Sequence, residues 1–171
     1  SLHDALPISP ITTPPAVFLP LALVPRPLYK LLAHTTLPVM ARWMRGPNLR
    51  FVFSPVSVTE GFVTQGGGYL SERPSQLFAT LHDMRYAEQD IQRIHAQYPN
   101  MRLPVQVLYD TTDRVLDAQV HGAQLAQRLP TAQVSFIKDG GHMLPITQSQ
   151  HCVDWVRQQL LQIESAAHAS H

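Results

Sequence analysis

Residues 103–145 read LPVQVLYDTTDRVLDAQVHGAQLAQRLPTAQVSFIKDGGHMLP and decide the fold of the chain. The stretch at 105–109 is a short apolar run that begins after Pro104 and ends in a polar, turn-forming patch. A run of this kind predicts a strand buried in a parallel sheet. The stretch at 134–137 is a second such run, and it is followed by Asp139 and two glycines. We therefore predict two neighbouring parallel strands.

Helical patterns follow both predicted strands. Residues 117–129 carry apolar side chains three positions apart and end before Pro130, which predicts an amphipathic helix. Its predicted inner face consists of Val120, Ala123, Ala126 and Leu129. The predicted inner face of a last helix consists of Val153, Val156, Leu160 and Ile163. The order strand, helix, strand, helix predicts an α/β fold with a parallel sheet and flanking helices.

The chain before residue 100 has a different character, irregular and helical, and it holds most of the prolines. A helix is predicted over 28–45, kinked or split by Pro38, and two helices are predicted over 74–97, with Pro74 near the first helical position. The most apolar stretch, 16–25, is about half the roughly 20 residues needed to span a bilayer. No basic region precedes it, so we expect neither a membrane span nor a signal peptide, and we expect a cytoplasmic protein.

Composition narrows the class of protein further. The chain has 171 residues, 44% of them hydrophobic and only 15% charged, with a formal net charge of +1. This balance argues against disorder, and the scattered basic residues argue against a nucleic-acid partner. A single cysteine, Cys152, excludes an internal disulfide, and we expect it to be a buried packing residue. The histidines show no metal-ligand spacing, so we expect no metal and no cofactor.

Acidic and imidazole side chains follow the two predicted strands. Asp113 comes after the first strand and His142 after the second, and parallel strands present their carboxyl ends at the same edge of a sheet. An imidazole acts as a general base when a carboxylate fixes its tautomer and stabilises its cation. We therefore predict that Asp113 and His142 form an acid–base pair. Asp110 and Asp117 are the rival acids, although Asp117 has the position of a helix N-cap.

These motifs resemble the C-terminal third of the α/β-hydrolase fold. In that family the strand-seven loop carries the triad acid in the pattern Gly-x-x-Asp-Arg, and the strand-eight loop carries Gly-His. The resemblance covers residues 103–156 and implies that Asp113 is the triad acid and His142 the triad base. The chain departs from the pattern at Asp110, which stands where the family usually has glycine.

The resemblance also implies a domain organisation and a missing part. Residues 1–9 would be non-native or a remnant of strand six, residues 10–100 a helical lid, and residues 101–171 the C-terminal core. None of the ten serines lies in the Gly-x-Ser-x-Gly elbow that carries the family's nucleophile. We therefore expect an N-terminally truncated hydrolase whose nucleophile precedes this chain, and we expect the chain alone to be inactive.

The function implied by the resemblance is hydrolysis of an ester or related acyl group in a small-molecule substrate. The lid would supply an apolar pocket, which we expect to be lined by Phe18, Trp43, Met44, Phe51 and Phe53, with Met143 from the core. An Asp nucleophile would instead make the parent protein a dehalogenase or an epoxide hydrolase. The alternative outside enzymology is a non-catalytic binding module. The sequence leaves the oligomeric state open.

Overall fold

The structure is a computed structural model that describes residues 23–169. The predictions for residues 1–22, which include Phe18 and the start of the predicted lid, and for the side chain of Ile163 lie outside the described residues. The helices of the first half are α1 (Tyr29–His34), α2 (Thr36–Phe53) and α3 (Pro74–His95). The elements of the second half are β1 (Val105–Asp110), α4 (Ala118–Arg128), β2 (Ala132–Ile137), α5 (Leu144–Thr147) and α6 (Ser149–Ala169). Three short 3-10 helices join them, at Arg26–Leu28, Gly68–Glu72 and Tyr98–Asn100.

The helix predicted over 28–45 is split into α1 and α2, and the break lies before Pro38 rather than at it. A proline ring opposes the carbonyl of the residue four positions earlier, which here is His34, the last residue of α1. Pro38 then lies in the first turn of α2, where no intrahelical N–H is required of it. Pro38 therefore separates the two helices from a position in the first turn of α2.

The prediction of two helices over 74–97 is wrong, because α3 runs unbroken from Pro74 to His95. After Pro74 this span contains no glycine or proline that would interrupt the backbone hydrogen bonds. Helix α3 buries Leu81, and α1 packs beside it through Tyr29, whose ring meets Phe78 edge-on. The helical half is thus held by its own apolar contacts.

The sheet of the second half agrees with the sequence. Strands β1 and β2 pair in parallel, with Val105 opposite Ala132 and Asp110 opposite Ile137, and α4 makes the crossover. All six residues of β1 are buried, Gln106 and Asp110 included, which explains why its sequence is mostly apolar instead of alternating between apolar and polar residues. The parallel register places the loops after β1 and β2 side by side.

The two faces of β1 are covered by different helices. Val105, Val107 and Tyr109 pack against Leu125 of α4 and against Leu129, which directly follows that helix. Leu108 points to the other face, where it packs against Leu144, Cys152 and Trp155 of α5 and α6. Cys152 is therefore a core residue, as predicted. Both faces of β1 are thus packed, and the loop that carries the next residues begins from a buried strand.

The predicted inner faces of α4 and α6 are wrong in detail. Positions three apart rotate by about 60° per step around a helix of 3.6 residues per turn, so a strict spacing of three leaves the buried face. On α4 the buried side chains follow three- and four-residue steps, and Val120 is exposed. On α6 the buried residues with described side chains are Cys152, Trp155 and Gln159, whereas Val153 of the predicted set is exposed. Val156 of that set is half-buried and packs against the same core.

Candidate active site

Asp113 lies in the loop that follows β1. Its backbone N–H donates to the carbonyl of Asp110 at 3.2 Å, which closes a tight turn directly after the strand. The Oδ1 atom of Asp113 accepts hydrogen bonds from the N–H groups of Val115 (2.7 Å) and Leu116 (2.9 Å). Only 1% of the Asp113 side chain is exposed. The backbone of its own loop therefore holds one carboxylate oxygen and leaves Oδ2 to face another partner.

His142 lies in the loop that follows β2. Asp139 and Gly141 both have positive φ angles, 72° and 69°, which turn the chain sharply after the strand. Gly141 also lies against the carbonyl of Ser54, just after the end of α2, so closely that a Cβ atom there would be 2.2 Å from the Ser54 oxygen. The helical half of the chain thus touches the loop that carries His142.

The structure brings Asp113 and His142 together. The Nδ1 atom of His142 lies 2.9 Å from Oδ2 of Asp113, and 27% of the imidazole side chain is exposed. A carboxylate can only accept a hydrogen bond, so Nδ1 carries the proton and donates it. The basic lone pair of the neutral ring is then on Nε2. An oriented imidazole whose far nitrogen faces a buried carboxylate is suited to take a proton at Nε2.

The two rival acids have other partners. Asp117 is the N-cap of α4, where its Oδ1 accepts from the N–H groups of Gln119 and Val120, both at 3.0 Å. Asp110 is completely buried, and its carboxylate accepts hydrogen bonds from Thr112 and from the N–H of Gly140. Neither carboxylate has His142 as a hydrogen-bond partner. The contact of Asp110 with the loop after β2 was not foreseen, although its unusual residue type was visible in the sequence.

Cys152 does not have the surroundings of a nucleophile. Its Sγ atom contacts the carbonyl of Leu144 at 3.6 Å within the core between β1 and α6. Burial raises the pKa of the Cys152 thiol, which disfavours the reactive thiolate. The structure therefore gives Cys152 a packing role.

The residues predicted to line a substrate pocket are scattered. Trp43 is 80% exposed and lines an open groove of about 490 Å³ with Thr35, Thr36, Val39 and Met40. Phe53 is fully buried and packs edge-on against Phe62, with ring centroids 4.9 Å apart. Phe51 is exposed, whereas Met44 and Met143 are half-buried. Of the members of the set that lie within residues 23–169, only Trp43 lines the groove, so the pocket stays a prediction.

Neither a metal-binding cluster nor a membrane-spanning helix is found within the described residues. Within residues 23–169, no group of three histidine, cysteine or acidic side chains is placed to hold a metal ion. Across the same residues, no helix combines the length and the apolar character required to cross a membrane.

Comparison with known proteins identifies the fold. The chain matches no protein-family model, and no curated protein matches it significantly. Solved structures do match it. A thermophilic esterase from Thermogutta terrifontis, in a malate-bound form, aligns with a TM-score of 0.65 and 19% identity over 94% of this chain and 56% of the esterase chain.

Two further hydrolases align less closely. MGS-M2, an α/β-hydrolase enzyme from a Medee basin deep-sea metagenome library, gives a TM-score of 0.56 at 10% identity, over 86% of this chain and 52% of its own. An acetylester hydrolase from Corynebacterium glutamicum gives 0.51 at 13% identity, over 85% and 49%. The chain spans about half the length of each of these structures. At these identities the likeness shows the fold, and the fold is that of the α/β hydrolases, as the sequence resemblance implied.

Proposed function

We propose that this chain supplies the general base and its orienting acid to an α/β-fold hydrolase that cleaves an ester or related acyl substrate. One observation carries the proposal: Nδ1 of His142 lies 2.9 Å from the buried carboxylate of Asp113, which two backbone N–H groups hold in place. This pair lies where parallel strands end, the usual position of functional groups in open α/β sheets. The names of two of the structural neighbours, an esterase and an acetylester hydrolase, favour the acyl class.

The proposed reaction uses a serine that precedes this chain. The serine oxygen bonds to the acyl carbon while Nε2 of His142 takes the hydroxyl proton, and Asp113 stabilises the imidazolium that forms. His142 then gives that proton to the departing alcohol as the ester bond breaks. Water repeats the sequence and releases the acid. Asp113 exchanges no proton in this sequence of steps, and its carboxylate orients the ring and balances its charge.

The proposed domain organisation follows from the same argument. Residues 101–171 would be the C-terminal part of the hydrolase core, and residues 10–100 a lid that reaches the site through the contact between Ser54 and Gly141. The apolar groove beside Trp43 would belong to this lid. The chain alone, without nucleophile or oxyanion donors, would not turn over substrate, because those donors usually supply the largest catalytic contribution.

The test is the hydrolysis of a chromogenic short-chain ester by a longer protein that carries this sequence at its C-terminal end. His142→Ala is expected to lower kcat by a factor on the order of 10² to 10⁴ or more, and Asp113→Asn by a similar or smaller factor. Asp117→Asn is the matched control: it removes a carboxylate from the same loop, and asparagine still caps the helix, so the rate should not change. Turnover that survives His142→Ala contradicts the proposal.

A further inference from the structure

Asp110 occupies an unusual place between the two loops of the candidate site. It is the last residue of β1 and is completely buried. Its Oδ1 atom accepts hydrogen bonds from the N–H of Thr112 (2.7 Å) and from the Thr112 hydroxyl, within its own loop. Its Oδ2 atom accepts from the N–H of Gly140 (2.8 Å), in the loop that carries His142. One carboxylate therefore bridges the acid loop and the histidine loop.

Thr112 extends this bridge. Its hydroxyl donates to Asp110 and accepts from the N–H of Asp139 at 3.2 Å. Two successive N–H groups of the histidine loop thus donate to side chains at the end of β1 and just after it: that of Asp139 to Thr112, and that of Gly140 to Asp110. We call Asp110 and Thr112 together the interloop clasp. The glycine that the α/β-hydrolase pattern usually has at this position has no side chain and could not form it.

We infer that Asp110 is a positioning residue: through the interloop clasp it sets the distance between His142 and Asp113. The interloop clasp binds the histidine loop at Gly140, two residues before His142, and the acid loop at Thr112, one residue before Asp113. A shift of either loop changes the contact between Nδ1 and Oδ2. The inference rests on the proposed function of that pair. It assigns Asp110 neither proton transfer nor contact with substrate.

Asp110→Asn tests the clasp at constant size. An amide group has one acceptor oxygen, and we expect it to keep the two donors of Thr112, so that the NH₂ group faces the N–H of Gly140. One side of the bridge is lost, and a buried N–H is left without its partner. The matched control is Asp139→Asn, which removes a negative charge in the same turn. Its side chain is exposed, and asparagine tolerates the positive φ found there.

A second pair of variants keeps the inference testable if Asp110→Asn does not fold. Thr112→Val removes the hydroxyl that joins Asp110 to Asp139, whereas Thr112→Ser keeps it. Rescue by serine separates the hydrogen bond from the mere presence of a side chain. Val is close to Thr in volume, so an effect of Thr112→Val that Thr112→Ser does not share comes from the hydroxyl.

The readouts are two NMR signals of the 171-residue chain. One is the low-field proton on Nδ1 of His142, assigned by its loss in His142→Gln, which reports the contact with Asp113. The other is hydrogen exchange of the Gly140 amide, which reports the clasp itself. In Asp110→Asn we expect the low-field proton to broaden or vanish, and the Gly140 amide to exchange faster by a factor on the order of ten or more.

Thr112→Val should change both signals in the same direction, while Thr112→Ser and Asp139→Asn should match the unsubstituted chain. The inference is overturned if folded Asp110→Asn or Thr112→Val keeps the low-field proton of His142 unchanged. Failure of the proposed function looks different. If the unsubstituted chain shows a protected Gly140 amide but no low-field proton, the clasp is present and the pairing of His142 with Asp113 is overturned.

Discussion

Gly141→Ala is the substitution for which the structure predicts the largest loss of stability in the histidine loop. Gly141 has a φ of 69°, in the left-handed region that side chains with a Cβ atom disfavour. The added Cβ would also lie 2.2 Å from the carbonyl oxygen of Ser54, which is backbone and cannot rotate away. The two penalties have different origins, so they can be separated with a suitable control.

The magnitude follows from these two contributions. A left-handed conformation costs a residue with a Cβ about 1–2 kcal/mol. To regain an ordinary contact distance of about 3.5 Å, the loop and the end of α2 must move apart by roughly 1 Å, and overpacking of this kind costs about 1–3 kcal/mol. Together the free energy of unfolding falls by about 2–5 kcal/mol. With a urea slope of about 2 kcal/mol per molar, the unfolding midpoint falls by about 1–2.5 M.

Gly67→Ala is the matched control. Gly67 has a similar φ of 77°, but a Cβ there would meet only the end of the flexible Leu70 side chain, at 3.2 Å. It should therefore lose only the conformational contribution, about 1–2 kcal/mol. Unfolding is followed by the fluorescence of the buried Trp155, in a Trp43→Phe background that removes the exposed indole. Equal midpoints for the two alanine variants would refute the close approach of Ser54 to the histidine loop.

Two further predictions concern the N-cap of α4 and the contact between His95 and Arg128. Asp117→Ala removes the side chain that caps α4 and should lower the free energy of unfolding by about 1 kcal/mol in urea titrations, whereas Asp117→Asn should leave it nearly unchanged. His95, whose Nδ1 accepts a hydrogen bond from Arg128, has its pKa lowered, first by burial and then by the Arg128 charge. Because the folded pKa lies below the ordinary value of about 6.5, protonation of His95 destabilises the folded state. The residue therefore costs no stability above that pH, and the free energy of unfolding decreases as the pH falls toward the folded pKa. As the pH is lowered from about 7 to about 5, the unsubstituted chain should therefore lose unfolding free energy relative to His95→Gln. A difference between the two proteins that does not change with pH would contradict this.

The sheet and the contact between Asp113 and His142 could be predicted because their signals are local and their geometry is general. A buried run after Pro104 gives β1, and Asp117 marks the start of α4. Parallel strands end at one edge, so residues that follow β1 and β2 meet whatever the rest of the chain does. This rule brings the acids after β1 close to His142, and the N-cap position of Asp117 together with the family pattern favours Asp113 among them.

The remaining features depend on tertiary contacts that the sequence does not encode locally. Val120 fits an apolar repeat yet lies exposed, because the sheet and not the repeat decides which face of α4 is buried. The sequence marks Asp110 as a rival acid and as a departure from glycine, but it does not show the contact with Gly140, which lies 30 residues away. The contact between Ser54 and Gly141 joins the two halves of the chain, and no sequence pattern in either half predicts it.

The most direct test of the account is covalent capture of the nucleophile in a longer protein that carries this sequence at its C-terminal end. A fluorophosphonate bonds to an activated serine oxygen as fluoride leaves, and mass spectrometry locates the adduct. We predict one adduct, on a serine outside residues 1–171, that forms slower by a factor on the order of 10² or more in His142→Ala. An adduct on a serine of this chain, or an unchanged rate in His142→Ala, would contradict the role assigned to His142 and Asp113.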